Sequence, residues 1–392
     1  MYTCIYLGRY SYNANISAII DAFGTNKADA GLVTSCFFFA YGAGQVVNGI
    51  LCRRYSKRYI LSGALLVSSA INLSVFLGIP FPLIKYLWIL NGFVQSVFWS
   101  SLVLLLSENT EGKMMERAIL VMSTTTACGT LLSYGAASLF NATVGFKFSF
   151  LLAPAVMVTV ALFWFFASER LTVGARVKKE EVPKEAPPVT KRQKDAAFFI
   201  LLVSLSFFAV LDNLVKDGVT TWVPVVLKQE YGLPDYLSIL MTLVLPMISI
   251  FGAMSSVWFN HFIKDLVTLA GVFFAVGLLG LLAIVLLLQT AVWFALLLAC
   301  ALVSMMMSAI NNVIVTMAPM YLRAYVNSGA LSGILNGFCY VGSTLSSYGI
   351  GLLADRYSWG RVFTVLLAVC VVPAVFTLLR ASLLRFSKNK AF

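Results

Sequence analysis

The chain has 392 residues, 60% of them hydrophobic and only 11% charged, with a mean hydropathy of +0.89 and a formal net charge of +12. A soluble domain carries about 45–50% apolar and about 25% charged residues, so composition excludes a string of soluble domains and, with no polar low-complexity tract, a disordered or collagen-like chain. What remains is a polytopic α-helical membrane protein, built from apolar stretches of about 20 residues.

Twelve such stretches follow one another. The first, 1–23, carries Arg9, Asn13 and Asn15 and lacks a small-residue cleavage site, so it reads as a retained helix and not a signal peptide. Spans two and three, 29–51 and 59–79, flank a basic loop with Arg53, Arg54, Lys57 and Arg58. Span four, 84–106, sets Asn91, Gln95 and Trp99 four residues apart on one face. Spans five and six cover 117–140 and 146–168. A run rich in Lys, Glu and Pro then extends from Glu169 to Asp195, the composition of a solvated linker. Spans seven to twelve lie near 196–227, 233–260, 265–288, 291–317, 324–351 and 361–384. The predicted organisation is an N-terminal six-helix bundle (1–168), a cytoplasmic linker (169–195) and a C-terminal six-helix bundle (196–392).

Cytoplasmic loops collect Lys and Arg. With the linker in the cytoplasm, 20 of the 28 cations fall on its side and six on the other, which places both termini in the cytoplasm of a multi-pass protein of the plasma or inner membrane. This bias accounts for the basic balance without nucleic acid. Two cations remain, Arg9 and Lys216, and both lie inside spans. The seven cysteines form no C-x-x-C pair and sit in or beside apolar stretches, and His261 is the only histidine, so no metal site, cofactor site or Ser-His-Asp triad is expected. With no nucleotide-binding loop either, nothing points to an enzyme.

Thr130-Leu-Leu-Ser-Tyr-Gly135 in span five recurs as Thr344-Leu-Ser-Ser-Tyr-Gly349 in span eleven. Two six-span halves with weak internal similarity are the pattern of a parallel-repeat secondary transporter, whose solute binds near the midplane between the halves. Arg9 and Lys216 hold matching positions in spans one and seven, each roughly 20 Å from the outer end of its span. Intramembrane charges mark functional sites by default, and two cations facing one cavity attract an anion. The plain alternatives are that Arg9 snorkels to the near surface and that Lys216 pairs with Asp212 at i,i+4. Asp212 and Asp217 are proton-coupling candidates. Tyr6, Tyr10, Asn13, Tyr41, Gln45, Asn91, Gln95, Trp99, Asn312 and Asn336 complete the predicted substrate set, although each amide also serves as interhelical glue.

These segments resemble the major facilitator superfamily, and within it the organophosphate–phosphate antiporters for glycerol-3-phosphate and hexose phosphates. Tyr6-Leu-Gly-Arg9 resembles the span-one segment with its substrate-binding Arg. Ala40-Tyr41-Gly42, Asn91-Gly92-x-x-Gln95-x-x-x-Trp99, Lys216-x-Gly218-x-x-x-Trp222-x-Pro224 and Gly351-x-x-x-Asp355-x-x-Ser358-Trp359 resemble the patterns of spans two, four, seven and eleven. The chain departs from them in several places. Lys216 stands where Arg is usual, and Gln45 where glycerol-phosphate members carry Lys. Ala127 or Cys128 replaces a span-five His, Arg53 a loop Asp, and Ser100 a Pro. The resemblance implies a twelve-helix, two-bundle transporter that exchanges small organic anions by alternating access, acts as a monomer in the lipid bilayer and uses Arg9 and Lys216 as its anion clamp. A proton-coupled carrier of another solute and a transporter-like membrane sensor are the other readings.

Overall fold

A computed structural model describes residues 1–51, 55–99, 101–102, 105, 112–173, 196–322 and 328–389. The loop arginines Arg53 and Arg54, Ser100, most of the linker and Arg323 lie outside these residues. Among the described residues the secondary structure is helical throughout, with no strand. Eight helical segments among the described residues are long and apolar enough to cross a membrane.

The chain divides into two compact units. The first comprises Met1–Lys184 with Leu233–Leu243, the second Glu185–Gly232 with Val244–Phe392.

In the first unit the helices are α1 (Tyr2–Ala14), α2 (Ile16–Phe23), α3 (Lys27–Leu51), α4 (Lys57–Phe76), α5 (Phe81–Gln95), α6 (Gly112–Thr143) and α7 (Ser149–Val173). The predicted first span is thus two helices. Asn15 separates them: its side-chain amide donates to the Ser11 carbonyl at 2.7 Å, and its Oδ1 accepts from Asn141 of α6 at 2.5 Å. Asn competes for backbone groups in this way, which is why it sits poorly inside helices. The segment after α5 resumes as helix at 97–99. Helix α1 packs on α6, α3 on α5, and α4 on α7. Gly129 allows the first of these contacts. A Cβ there would lie 2.6 Å from Tyr6 Cβ and 2.9 Å from the Thr3 carbonyl oxygen.

The segment Leu233–Leu243 contains α9 (Asp235–Thr242) and belongs to this unit through α6. Ser138 Oγ donates to the Tyr236 carbonyl at 2.7 Å, and Ile239 packs with Ala14, Tyr134 and Ala137. The predicted eighth span is interrupted at Leu243, just before Pro246 in the first turn of the next helix. Proline lacks the N–H that would continue the hydrogen-bond ladder there.

The second unit contains α8 (Ala196–Tyr231), α10 (Val244–Phe259), α11 (Leu266–Leu287), α12 (Trp293–Asn311), the short α13 (Ala318–Tyr321), α14 (Ser328–Arg356) and α15 (Trp359–Asn389). Its pairing repeats that of the first: α8 packs on α14, α10 on α12, and α11 on α15. Gly342 supports the α8–α14 contact as Gly129 does its counterpart, since a Cβ there would stand 3.0 Å from the Leu214 backbone nitrogen. The two copies of the repeated motif lie on α6 and α14, equivalent members of equivalent pairs. A π turn, Asn312–Met317, follows α12. Pro319 offers no N–H to the Val315 carbonyl, which takes a hydrogen bond from Ser332 Oγ at 3.1 Å instead.

Candidate functional site

In the first unit the site is built around Arg9. Its side chain is 4% exposed, although an isolated guanidinium in apolar surroundings costs several kcal/mol. Aromatic faces supply part of the compensation. The guanidinium carbon lies 4.4 Å from the Tyr41 ring centroid, 4.8 Å from Phe37, 5.5 Å from Phe38, 5.6 Å from Tyr6 and 5.8 Å from Tyr10. Each such contact is worth about 0.5–2 kcal/mol, with the larger values where water is excluded. Phe37 and Tyr41 are one helical turn apart and stack at 5.8 Å, forming one wall from α3. Tyr6 and Tyr10 stack at 5.3 Å and form the other from α1.

That tyrosine pair is part of a longer ladder. Trp99, Tyr2, Tyr6, Tyr10 and Tyr134 follow one another at centroid spacings of 5.4, 5.6, 5.3 and 6.1 Å. Trp99 is the open end, 37% exposed. Tyr2 and Tyr41 hydroxyls meet at 3.4 Å, and the Tyr6 hydroxyl donates to Thr126 Oγ1 of α6 at 3.4 Å.

The predicted amides occupy different places. Asn91 and Gln95 are fully buried and belong to a network between α4 and α5. Ser68 Oγ donates to Asn91 Oδ1 at 2.6 Å, and Gln95 Nε2 donates to Ser68 Oγ at 3.0 Å and Asn91 Oδ1 at 3.1 Å. The Asn91 and Asn72 amides both donate to the Gly8 carbonyl at 3.2 Å, one residue before Arg9. These two amides therefore hold the backbone that carries the guanidinium. Asn13 accepts from Thr34 Oγ1 at 2.8 Å and ties α1 to α3. Gln45 is half-buried on α3, one turn beyond Tyr41.

In the second unit, Asp212, Lys216 and Asp217 share α8. Asp212 is fully buried; its Oδ2 accepts from the Asn213 amide at 3.2 Å, and the Asn311 amide of α12 also reaches the carboxyl. Lys216 is half-buried one turn later, within electrostatic reach of Asp212. Among the described residues no ion pair within 4 Å joins Lys216 to either carboxylate. Asp217 accepts a short hydrogen bond from Ser343 Oγ of α14. Asn311 donates to Cys339 Sγ of α14 at 3.6 Å, in the same polar cluster. Its neighbour Asn312 turns to α10, donating to Ser256 Oγ at 2.8 Å and the Ala253 carbonyl at 3.3 Å. Asn336 is half-buried on α14. Two motif tryptophans meet in this unit as well: Trp222 lies 6.0 Å from Trp359, whose indole N–H donates to Gln229 Oε1 at 3.0 Å.

Sequence reading did not select Phe37, Phe38, Ser68, Asn72, Asn213 or Ser343. Phe37 stands at i,i−4 from Tyr41, which was a usable signal, and Asn72 is an isolated amide in an apolar span.

The model of the Major Facilitator Superfamily matches residues 1–329. The chain belongs to the major facilitator superfamily.

Like other members of the superfamily it is a multi-pass membrane protein with the two-bundle, twelve-helix fold. It is 21% identical to the membrane sensor protein UhpC of Escherichia coli (strain K12) over 96% of this chain and 89% of that protein. It is 22% identical to the glycerol-3-phosphate transporter of Bacillus subtilis (strain 168), over 95% of this chain and 88% of the relative. These bear out the resemblance to the organophosphate branch of the superfamily. In fold it is similar to the crystal structure of a bacterial homolog of the human lysosomal transporter Spinster, inward-facing and unoccupied. That similarity has a TM-score of 0.78 at 15% identity and covers 96% of this chain and 94% of that one.

Proposed function

We propose that the protein is a secondary active transporter of a small organic anion and that organophosphate/phosphate exchange by alternating access is its reaction. In this reading it works as a monomer in the plasma or inner membrane with both termini cytoplasmic, and Arg9 and Lys216 are the cations that hold the anion. The observation that carries the reading is Arg9, a nearly sealed guanidinium kept in place by five aromatic rings and two amides on the preceding carbonyl. A fixed, planar fork of donors suits a phosphate or carboxylate. The full-length similarity to a glycerol-3-phosphate transporter points to the same class of solute.

Purified protein in liposomes loaded with phosphate is expected to take up labelled phosphate and sugar phosphates, and Arg9→Ala and Lys216→Ala are each expected to abolish it. Full uptake by both variants would overturn the assignment of the two cations.

The similarity to a membrane sensor over most of its length favours a second reading, in which the protein binds an organophosphate and signals without flux. Tight binding together with no uptake in the same liposomes would select it. Uptake that follows an imposed pH gradient and is lost in Asp212→Asn or Asp217→Asn would instead select proton coupling through those carboxyls.

A further inference from the structure

Asp212 stands out in the second unit. It is fully buried within α8, where the neutral amides of Asn213 and Asn311 reach its carboxyl. A carboxyl in such surroundings stays charged only beside a cation and otherwise takes a proton. Among the described residues the charged side chains in reach are Lys216 and Asp217, and Asp217 accepts a hydrogen bond from Ser343 of α14. Lys216 is at i+4, on the same face of α8, where a lysine and a carboxylate can meet. In this structure they do not meet within 4 Å.

We propose that Lys216 alternates between two partners: the transported anion when the carrier is loaded, and Asp212 when it is empty. The inference rests on the reading of Lys216 as an anion-binding cation. An ammonium on a flexible four-carbon stem with three donors suits such an exchange, whereas a guanidinium is a planar fork that commits to one geometry. This gives a physical sense to Lys at a position where the resembling antiporters carry Arg.

The exchange has a functional consequence. A carrier in which Lys216 stands uncompensated when empty reorients slowly, because reorientation exposes its charge to low dielectric. Pairing with Asp212 gives Lys216 a counter-charge in the empty state. The empty carrier then returns without a counter-anion, and the protein performs net transport in addition to exchange. The same pairing competes with the anion for Lys216, so affinity is held below what the two cations alone would give.

Two measurements on the full chain test this, with inorganic phosphate as the probe. Binding to detergent-purified protein is expected to tighten about tenfold in Asp212→Asn, because the competitor for Lys216 is gone. The gain is expected to vanish when Lys216→Gln is added. In liposomes, the ratio of phosphate uptake without internal phosphate to uptake with it is expected to fall about tenfold in Asp212→Asn. Asp212→Ser serves as the second variant, with size-exclusion profiles confirming that each protein is folded. Wild type that binds phosphate with Asp212→Asn unchanged or weaker overturns the partner exchange alone. So does wild-type uptake that depends strictly on internal phosphate. Wild type that binds no phosphate overturns the proposed function and the partner exchange with it.

Discussion

At the scale of single residues, Arg9 shows how a charge is kept inside an apolar helix pair. Its guanidinium lies over Tyr41 at 4.4 Å and Phe37 at 4.8 Å, and the backbone before it is fixed by Asn72 and Asn91. Lysine would keep the charge and lose the planar stacking and the fork. Arg9→Lys is therefore expected to behave like a loss of function, with phosphate affinity reduced roughly tenfold or more for the ~1–2 kcal/mol of stacking removed. Equilibrium binding checks it, and wild-type affinity in Arg9→Lys would show that charge alone suffices. Arg9 itself was legible in the sequence, because a lone cation in an apolar span is conspicuous. Its surroundings were less so. Phe37 and Phe38 belong to an ordinary apolar run, and only the packing of α3 on α1 turns their faces to a cation. The amides were legible as polar groups but not by role: the same spacing that groups Asn91 with Gln95 serves a site or a network equally well, and the partners Ser68 and Asn72 come from another helix.

At the scale of elements, periodicity and hydropathy located the spans, while hydrogen-bonding side chains and proline decided where they break. Asn15 divides the first span and Pro246 the eighth, and hydropathy averaged over 20 residues is blind to both. Element ends also carry the latch between α11 and α15. Asp265 caps α11 just outside the Leu266–Leu287 span, accepting from the Thr268 N–H at 2.9 Å and its hydroxyl at 2.7 Å. Arg380 of α15 grips the same carboxylate with both guanidinium nitrogens, Nη2 at 3.0 Å from Oδ1. Burial pushes this carboxyl upward, but the hydrogen bonds from Arg380 and Thr268 outweigh it and hold it below the usual carboxylate value. A group depressed in the folded state stabilises fully above its unfolded value of about 4 and loses that contribution as pH falls through the folded one. Arg380→Gln is expected to lower the unfolding temperature at neutral pH, with the difference from wild type shrinking at about pH 3. Thermal unfolding in detergent at the two pH values checks this, and a difference independent of pH would argue against an electrostatic latch.

At the scale of the whole molecule, both units use one pairing scheme: α1–α6, α3–α5 and α4–α7 in the first, and α8–α14, α10–α12 and α11–α15 in the second. The short repeated motif pointed to this, because it falls on α6 and α14. The sequence concealed that chain order and spatial membership part company at Leu233–Leu243. This segment follows α8 in the chain, yet Ile239 fills a cluster with Ala14, Tyr134 and Ala137 of the first unit. Two polypeptides made by cutting within the linker are therefore expected to be unequal to the tandem repeat they encode. The piece ending before α8 would leave that cluster uncovered and should aggregate alone, while co-expression with the remainder should rescue it; co-purification of the two pieces measures this, and a well-behaved N-terminal piece alone would contradict it. The aromatic ladder has a different use. Tyrosines spaced 5–6 Å apart lead from the rings beside Arg9 to the half-open Trp99, close enough for tyrosine excitation to reach that indole. In a variant that keeps Trp99 and carries Phe at the other six tryptophans, occupation of Arg9 should register as a change in tyrosine-sensitised emission.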